Sequence, residues 1–454
     1  MELPPIAGPK PIMRLGRDEY SGLHRRYAGL LGNTLLLKQD NNIPEHQLRE
    51  LLQRFRNMMR ALFNEKGASL RIEILAEKPA QDFIRTHTDT LDSAFRQVEM
   101  SHTMRQQLSR SNYVFSGLKT FHELNEAFPS LLDENGNRKT FERFLKDVQK
   151  IDETYNRNYL RAEYNFVHAS AGMAARWEEF ARDGDDYLLQ YRTAGDGKVR
   201  PEHAALNGVT LPPSDTFWDE YYPPNGWNCR CTAVQVRKGK YTETPREQAI
   251  ERGKEALAGD KKGMFRFNPG KQRKAVPDYN PYTTSRCRDC DIAKGKDRAN
   301  EGKTKLAKEF IPDNELCVAC RLIRKRAKTK EAIQLQRKEI KVWAKENLAG
   351  RTVSVQGIPH PIEFTMNGVK ETLNQPHRYV RAKNEALRNI LSLLQNGTHV
   401  LEKADDKGNP MVKKYHYIRI DVAGKSSFAV IRELTDGRCQ FYSIVDKLRK
   451  KGSG

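Results

Sequence analysis

Two short stretches near the middle of this chain combine residues that ordinary loops seldom contain. Four polar residues fall within twelve positions of the first stretch: Arg192, Asp196, Arg200 and His203. In the second stretch Pro223 and Pro224 restrict the backbone and Gly226 allows it to turn. Cys229 and Cys231 follow. Proline fixes φ, and glycine adopts turn conformations that other residues avoid. The pattern therefore predicts a tight turn, walled by aromatic residues, that ends in two cysteines.

This pattern resembles the hallmark of the phage Mu F-like minor head proteins, the phage head morphogenesis family. The family series runs R-T-x-x-D, then H, then P-P-x-x-x-x-C-R-C. The matching positions here are Arg192, Thr193, Asp196, His203, Pro223, Pro224, Cys229, Arg230 and Cys231. We include Arg200 in the same candidate site. The resemblance implies a protein made in the bacterial host cytoplasm that joins the virion head near the portal, with portal and capsid proteins as partners.

The block allows two chemical interpretations. Three of its residues are candidate metal ligands: His203, Cys229 and Cys231. In an extended C-x-C the two side chains point to opposite faces, so joint binding of one ion requires a turn at Arg230. The other interpretation is a hydrogen-bonded network in which Asp196 pairs with Arg192 or Arg200. No pair of nucleophile and base stands out at this spacing.

The charge of the chain favours acidic partners. It carries 79 Lys and Arg against 58 Asp and Glu, a formal net charge of +21, so phosphate backbones or acidic protein surfaces are the expected partners. No apolar run approaches the ~18 residues of a membrane span, and the first residues lack the features of a signal peptide. We therefore expect a cytosolic protein that does not enter a membrane.

A chain of 454 residues exceeds one hydrophobic core, and its composition predicts a multidomain α+β fold. Apolar residues at three- and four-residue steps predict a helix over 44–64, and further helices are expected near 139–149 and 152–180. The predicted regions are a helical part (1–180), the hallmark block (181–237), a basic linker and zinc-knuckle connector (238–350) and a small α+β domain (351–454). Within the connector we expect a short helix over 245–257 and a longer helix over 331–347.

Two C-x-x-C pairs in the connector predict a structural zinc site. Its ligands would be Cys287, Cys290, Cys317 and Cys320. Two residues between cysteines allow one turn to present both thiolates, and two such turns complete a tetrahedron. The 26 residues between the pairs exceed the usual zinc-ribbon interval. The alternatives are unrelated thiols or a redox pair; on the zinc interpretation the ion stabilises a segment too polar to form its own core.

A basic run follows the second cysteine pair. Six of the ten residues 321–330 are basic and none is acidic. The candidate nucleic-acid contacts are Arg324, Lys325, Arg326 and Lys328. A solvated helix face explains the same charges, whereas adjacent zinc knuckles would hold the run rigid for contact with DNA or RNA.

The last hundred residues predict a strand over 362–365, a helix over 382–395 and three strands over 415–422, 427–434 and 438–445. The short connections between the three strands indicate an antiparallel meander.

This order resembles the barnase–EndoU–colicin–RelE nuclease-like domains that are often appended to Mu F-like proteins. The segments that carry the resemblance are 364–371, 414–417, 430–433 and 441–444. It implies metal-independent RNA cleavage, which needs a base, an acid and cations at the phosphate. The candidate catalytic residues are Lys370, His377, His416, Arg432 and Ser443. His416 alternates onto the apolar face of its strand, so a buried core histidine is the other interpretation.

The primary hypothesis is a Mu F-like minor head protein. Two others stay open: a toxin-like RNase delivered by the phage head, and a zinc-dependent protein that binds nucleic acid without sequence preference.

Overall fold

The structure is a computed structural model that describes residues 43–66, 70–283, 287, 290, 311–405 and 409–448. The first residues, where a signal peptide was not expected, lie outside this described part. The chain forms two compact units that divide between Ala327 and Lys328. None of the described helices has the length and hydropathy needed to cross a membrane.

The first unit begins with long helices that bury one apolar cluster. Their bounds are α1 Glu45–Asn64, α2 Lys78–Ser93, α3 His102–Ala127, α4 Phe141–Asp147, α5 Gln149–Asp152 and α6 Tyr159–Asp183, with a π-helical turn Glu153–Asn158 before α6. The stripe predicted for α1 is confirmed, since its buried residues are Leu51, Phe55, Met58, Met59 and Leu62. The predicted 139–149 and 152–180 helices correspond to α4 with α5 and to α6.

The sequence did not predict α2 and α3, because polar residues occupy part of the buried surface of these helices. Lys119 of α3 is fully buried and its Nζ lies 2.8 Å from Glu163 Oε2 of α6. His87 of α2 contacts the same carboxylate at 3.2 Å, and the Tyr282 hydroxyl donates to its other oxygen at 2.5 Å. Burial alone would raise the pKa of Glu163, but the charge of Lys119 and the hydrogen bond with His87 lower it to about 2.

The hallmark block surrounds a three-stranded antiparallel sheet of order β2-β1-β3. The strands are β1 Tyr187–Arg192, β2 Thr210–Leu211 and β3 Thr232–Arg237, and the short helices are α7 Pro201–Ala204, α8 Phe217–Glu220, α9 Arg246–Ala256 and α10 Pro269–Gln272. The predicted helix 245–257 matches α9. The predicted linker differs from the structure, because Ala249, Ala256 and Leu257 are buried in the apolar cluster of the block.

Close approaches explain how this polar stretch packs without large apolar residues. A Cβ atom at Gly253 would lie 2.7 Å from the Tyr221 ring, and one at Gly270 would lie 2.1 Å from Trp177 Cβ. Glycine therefore brings the backbones of α9 and α10 against aromatic side chains of the block and of α6.

The long helix α11, Ile311–Asn347, includes the predicted helix 331–347. After it come β4 Thr352–Val353, β5 Ile362–Glu363, α12 Met366–Asn374, α13 Val380–Ala386, a 3-10 turn Leu387–Asn389 and α14 Ile390–Gln395, then β6 Thr398–Ala404, β7 Val412–Asp421, β8 Ser426–Leu434 and β9 Cys439–Val445.

The sheet of the second unit has the order β4-β5-β9-β8-β7-β6. Strands β7, β8 and β9 pair antiparallel, so the predicted meander is confirmed. Strand β5 pairs parallel to β9, and β6 adds a further edge strand beside β7. The overall α+β class with a helical first part is also confirmed. The sequence missed β6 because its side chains are mostly exposed and give little apolar alternation.

Candidate functional site

His203, Cys229 and Cys231 form a buried cluster in the hallmark block. His203 Nδ1 lies 3.7 Å from Cys229 Sγ and 3.9 Å from Cys231 Sγ. The three residues are 4%, 6% and 5% exposed. Nitrogen and sulfur atoms grouped this closely are able to hold one soft metal ion.

Local backbone geometry brings both cysteines to the same side. Asn228 has a φ of 56° and Cys229 N–H donates to Gly226 carbonyl oxygen at 3.1 Å, which closes a tight turn before the first cysteine. A backbone hydrogen bond from Cys231 reaches Cys229. Both sulfurs therefore lie near His203, but the turn precedes Cys229 and is not at Arg230, where we expected it from the sequence.

The two thiols are electrostatically linked. The hydrogen bond with Cys231 lowers the pKa of Cys229, and those with His203 act in the same direction. The hydrogen bond with Cys229 and burial raise the pKa of Cys231. Cys229 thus loses its proton first, and a second thiolate beside it requires a compensating positive charge.

Charged residues around the cluster fix the two hallmark stretches to each other. Arg230 donates to both carboxylate oxygens of Asp196, at 2.5 and 2.6 Å. From the sequence we expected Asp196 to pair with Arg192 or Arg200, but the carboxylate pairs with Arg230. Arg200 donates to the Trp227 carbonyl, and exposed Arg192 donates to Gln190 Oε1 at 3.1 Å.

A cavity of about 220 Å³ adjoins the three candidate ligands. Its other lining residues are Ala194, Lys198, Val199, Arg200, Asn228 and Arg230. The cluster is therefore buried within the protein but faces a space large enough for water or a small ligand.

The second cysteine pair of the predicted zinc knuckle lies on α11. Cys317 and Cys320 are three positions apart on this helix, which places them on one face. Burial raises the pKa of the Cys320 thiol, and nearby Cys287 and Cys290 contribute in the same direction. The pattern of Cys317 and Cys320 is helical rather than a turn, and among the described residues the four sulfurs do not form a group with metal-binding spacing.

The basic run 321–330 is only partly available to a ligand. Arg324 donates to Asp278 Oδ1 at 2.8 Å and to Cys320 Sγ at 3.2 Å, and Arg326 donates to the Ala76 carbonyl at 3.4 Å. Both arginines are partly buried, whereas Lys325 and Lys328 are exposed. Packing thus holds two of the four candidate residues, and a nucleic-acid contact through the two lysines stays a prediction.

The structure distributes the predicted catalytic residues over different parts of the second unit. His416 of β7 is fully buried and pairs in register with Ile431 of β8. Arg432 follows Ile431, so it points to the opposite face of the sheet, where its guanidinium lies 4.3 Å from the Tyr442 ring centroid. Lys370 is exposed on α12, and buried Ser443 pairs with Val430. His416 and Arg432 therefore cannot serve one site.

His416 has partners that the sequence did not indicate. Its Nε2 lies 2.9 Å from Glu433 Oε2, and its Nδ1 lies 3.3 Å from both His399 Nε2 and Glu402 Oε1. Carboxylates therefore face both ring nitrogens of His416. His399, Glu402 and His416 form a second group with metal-binding spacing. This group depends on the register of β6 against β7, in which Glu402 lies opposite His416. The sequence pattern did not predict β6 and therefore did not indicate the group.

His377 borders a separate cavity of about 270 Å³. The Tyr379 N–H donates to His377 Nδ1 at 3.0 Å, so the neutral ring carries its hydrogen on Nε2, 3.2 Å from Ser427 Oγ. This tautomer cannot take a proton from Ser427. The cavity is also lined by the cationic side chains Arg378, Lys425 and Lys447, which outnumber its one carboxylate, Asp446. It is suited to an anion rather than to a serine nucleophile.

Comparison with known proteins places the hallmark geometry in a family. Residues 134–234 match the family described as Phage Mu protein F like protein, so the resemblance predicted for the hallmark block is confirmed, whereas the nuclease-like resemblance of the last domain stays a prediction. The match contains β1, β2, the first half of β3 and all three candidate metal ligands. Residues 331–442 match a second family, described as Large polyvalent protein-associated domain 3.

Two curated proteins are similar to part of the chain. The capsid assembly protein F of Escherichia phage Mu is 34% identical over 114 residues, which are 25% of this chain and 24% of that protein. The Mu-like prophage FluMu F protein of Haemophilus influenzae is 31% identical over 134 residues, 28% of this chain and 29% of that protein. The matched segments thus span 24% and 29% of the length of these two relatives. No solved structure matches the chain.

Proposed function

We propose that the chain is a minor head protein of a tailed phage or prophage, made in the host cytoplasm and incorporated into the head near the portal. The observation that carries the proposal is the match of residues 134–234 to the Mu F-like family, with the hallmark residues gathered around one buried cluster. The similarity to a capsid assembly protein of phage Mu supports the same function.

The first unit supplies the head-associated part in this proposal. Its hallmark block packs against α6 through an apolar cluster that includes Trp177, Trp218 and Tyr222. The Tyr222 hydroxyl donates to the Met173 carbonyl at 3.0 Å. A block packed in this way suits a fixed place in an assembly, because little ordering is required on binding.

Incorporation into particles tests the proposal. A phage that carries this gene would be complemented with the full chain, with residues 1–347 or with residues 328–454, and purified heads would be examined by mass spectrometry. We expect the full chain and 1–347 in heads, and 328–454 only in the lysate. Finding 328–454 in heads, with 1–347 soluble but excluded, would contradict the assignment.

The four cysteines of the connector are proposed to bind one structural zinc. The spacing of the two C-x-x-C pairs supports this idea, as does the placement of Cys317 and Cys320 on one face of α11. Zinc content should fall by one ion per chain in the Cys317→Ser/Cys320→Ser variant. An unchanged content would remove this site from consideration.

A second candidate function is RNA cleavage by the second unit, delivered with the head. The observation that favours it is the cavity in which His377 lies beside Arg378, Lys425 and Lys447, since cations and an imidazole suit a scissile phosphate. Turnover of labelled RNA by the full chain, lost in His377→Asn but retained in His46→Asn, would support it. His46 is an exposed histidine of the first unit.

Equal RNA turnover by wild type and His377→Asn would reject His377 as the catalytic group. The variant His416→Ala is less informative, because it removes a partner of buried Glu433 and would disturb the sheet.

A further inference from the structure

We propose that His203, Cys229 and Cys231 bind one zinc ion with a fourth coordination position open to the adjacent cavity. The proposal concerns the hallmark block alone and is independent of the four-cysteine site of the connector. It assigns a metal to this block, with a coordination that differs from a closed structural site.

The distances between the ligand atoms agree with zinc coordination. Zinc bonds of about 2.3 Å to sulfur and 2.0–2.1 Å to nitrogen, at tetrahedral angles, separate sulfur and nitrogen by roughly 3.6 Å. The observed separations from His203 Nδ1 are 3.7 Å to Cys229 Sγ and 3.9 Å to Cys231 Sγ. An ion therefore fits between the three atoms with little movement.

The donor set selects the metal. Two thiolates and an imidazole are soft or borderline ligands that suit zinc, whereas calcium and magnesium require oxygen ligands. On binding, two sulfur–zinc bonds form, and the thiols of Cys229 and Cys231 release their two protons to solvent. The ion supplies the positive charge that a buried pair of thiolates requires.

The surrounding contacts hold the ligands before the ion arrives. The pair of Asp196 with Arg230 fixes the residue between the two cysteines, and Arg200 is tied to the Trp227 carbonyl in the preceding turn. Such supporting contacts orient metal ligands and contribute to affinity. A Cβ atom at Gly226 would lie 2.5 Å from Arg200 Nη1, so a side chain at this position would displace the guanidinium.

The fourth position distinguishes this site from a closed one. Within the described residues, the group with metal-binding spacing here comprises only these three side chains. The cavity of about 220 Å³ lies beside them and includes exposed Lys198. A water molecule or a small anion completes the tetrahedron from this side, as in sites with three protein ligands.

Zinc analysis of the full chain tests the proposal. Cys317→Ser/Cys320→Ser serves as the background, since it removes the other proposed site. We expect one zinc per chain in this background, none after the further change Cys229→Ser, and one after the control change Cys439→Ser. Cys439 is a buried cysteine of β9, remote in sequence from the block.

X-ray absorption of the background variant provides a readout that does not depend on the folding of Cys229→Ser. Two sulfur and two nitrogen or oxygen neighbours around zinc would support the site. Four sulfur neighbours, or none, would overturn it. The proposal would also be overturned if the background variant took up no added zinc. An intact mass that shows a disulfide between Cys229 and Cys231 would overturn it as well.

Discussion

Arg230 forms two parallel hydrogen bonds with Asp196 across 34 residues of sequence, and it lies between the two cysteines of the candidate metal site. These bonds lower the pKa of Asp196 to about 2, so the pair stays charged across the physiological range. Both side chains are partly exposed, at 46% for Asp196 and 34% for Arg230. The pair therefore contributes more to the position of the cysteines than to global stability.

Asp196→Asn should accelerate the loss of zinc from the block. The neutral amide cannot form the charged bidentate pair, so the turn that carries Cys229 and Cys231 becomes less fixed. Release can be followed with a colorimetric chelator in the Cys317→Ser/Cys320→Ser background. Asp436→Asn, which breaks an exposed pair with Arg438, is the control and should leave the release rate unchanged. Equal rates for both variants would disprove the coupling.

Lys119→Met should destabilise the first unit by about 3–5 kcal/mol, because it leaves the carboxylate of Glu163 buried without its cationic partner. Urea unfolding monitored by circular dichroism measures the effect. Lys78→Met is the matched control: its pair with Asp82 is exposed on the lysine side, and about 0.5 kcal/mol or less is expected. Similar losses in the two variants would be inconsistent with a buried ion pair.

Glu123 should make the stability of the first unit fall as pH rises. Burial raises the pKa of Glu123 to about 8, from an ordinary value of 4.5. The unfolded chain releases this proton at lower pH, so the stabilisation present below pH 4.5 is lost as pH rises through 8. Glu123→Gln should remove this decrease when unfolding is measured at pH 5, 7 and 9. An identical pH profile in the variant would contradict the prediction.

Gly270→Ala should destabilise the first unit by about 1–3 kcal/mol, since the new methyl group would overlap Trp177. Gly172→Ala is the paired comparison, because Gly172 lies in α6 with no atom within 4 Å of its added Cβ. The higher helix propensity of alanine should make that change neutral or stabilising by up to about 1 kcal/mol. Thermal unfolding of both variants measures the difference, and the reverse order would refute the packing argument.

Lys325→Ser/Lys328→Ser should weaken binding to duplex DNA without preference for sequence. Each phosphate contact that is lost flattens the slope of log affinity against log salt by roughly 0.9, so a change of up to about two units is expected. Fluorescence anisotropy at several salt concentrations measures it. The control Lys254→Ser/Lys261→Ser removes the same charge from another exposed part of the first unit. If both variants match wild type, the run is a solvated face.

The predictable parts of the fold are those in which apolar periodicity coincides with burial. Helix α1 met this condition, and so did the meander of β7, β8 and β9. Helix α3 did not, because Asn112, Ser116 and Lys119 lie in the core where apolar residues are expected. Their burial depends on partners from distant helices, and no local pattern encodes it.

The candidate sites show the same limit. His203, Cys229 and Cys231 were identifiable as a set, because metal chemistry restricts the residue types. The pairing of Asp196 with Arg230 instead of an arginine nearer in sequence depends on the register of β1 and β3, in which Arg192 lies opposite Thr232. Likewise, Glu433 meets His416 only because β7 and β8 are adjacent.

The core of the N-terminal helices contains residues that are translated much later. Ile323 packs against Gly117, where an added Cβ atom would lie 2.6 Å from Ile323 Cγ2, and Tyr282 donates to Glu163. A ribosome that adds about 5–20 residues per second needs roughly 10–40 s to travel from α3 to Ile323. During that interval the nascent helices lack part of their core, so this unit completes its folding late in synthesis.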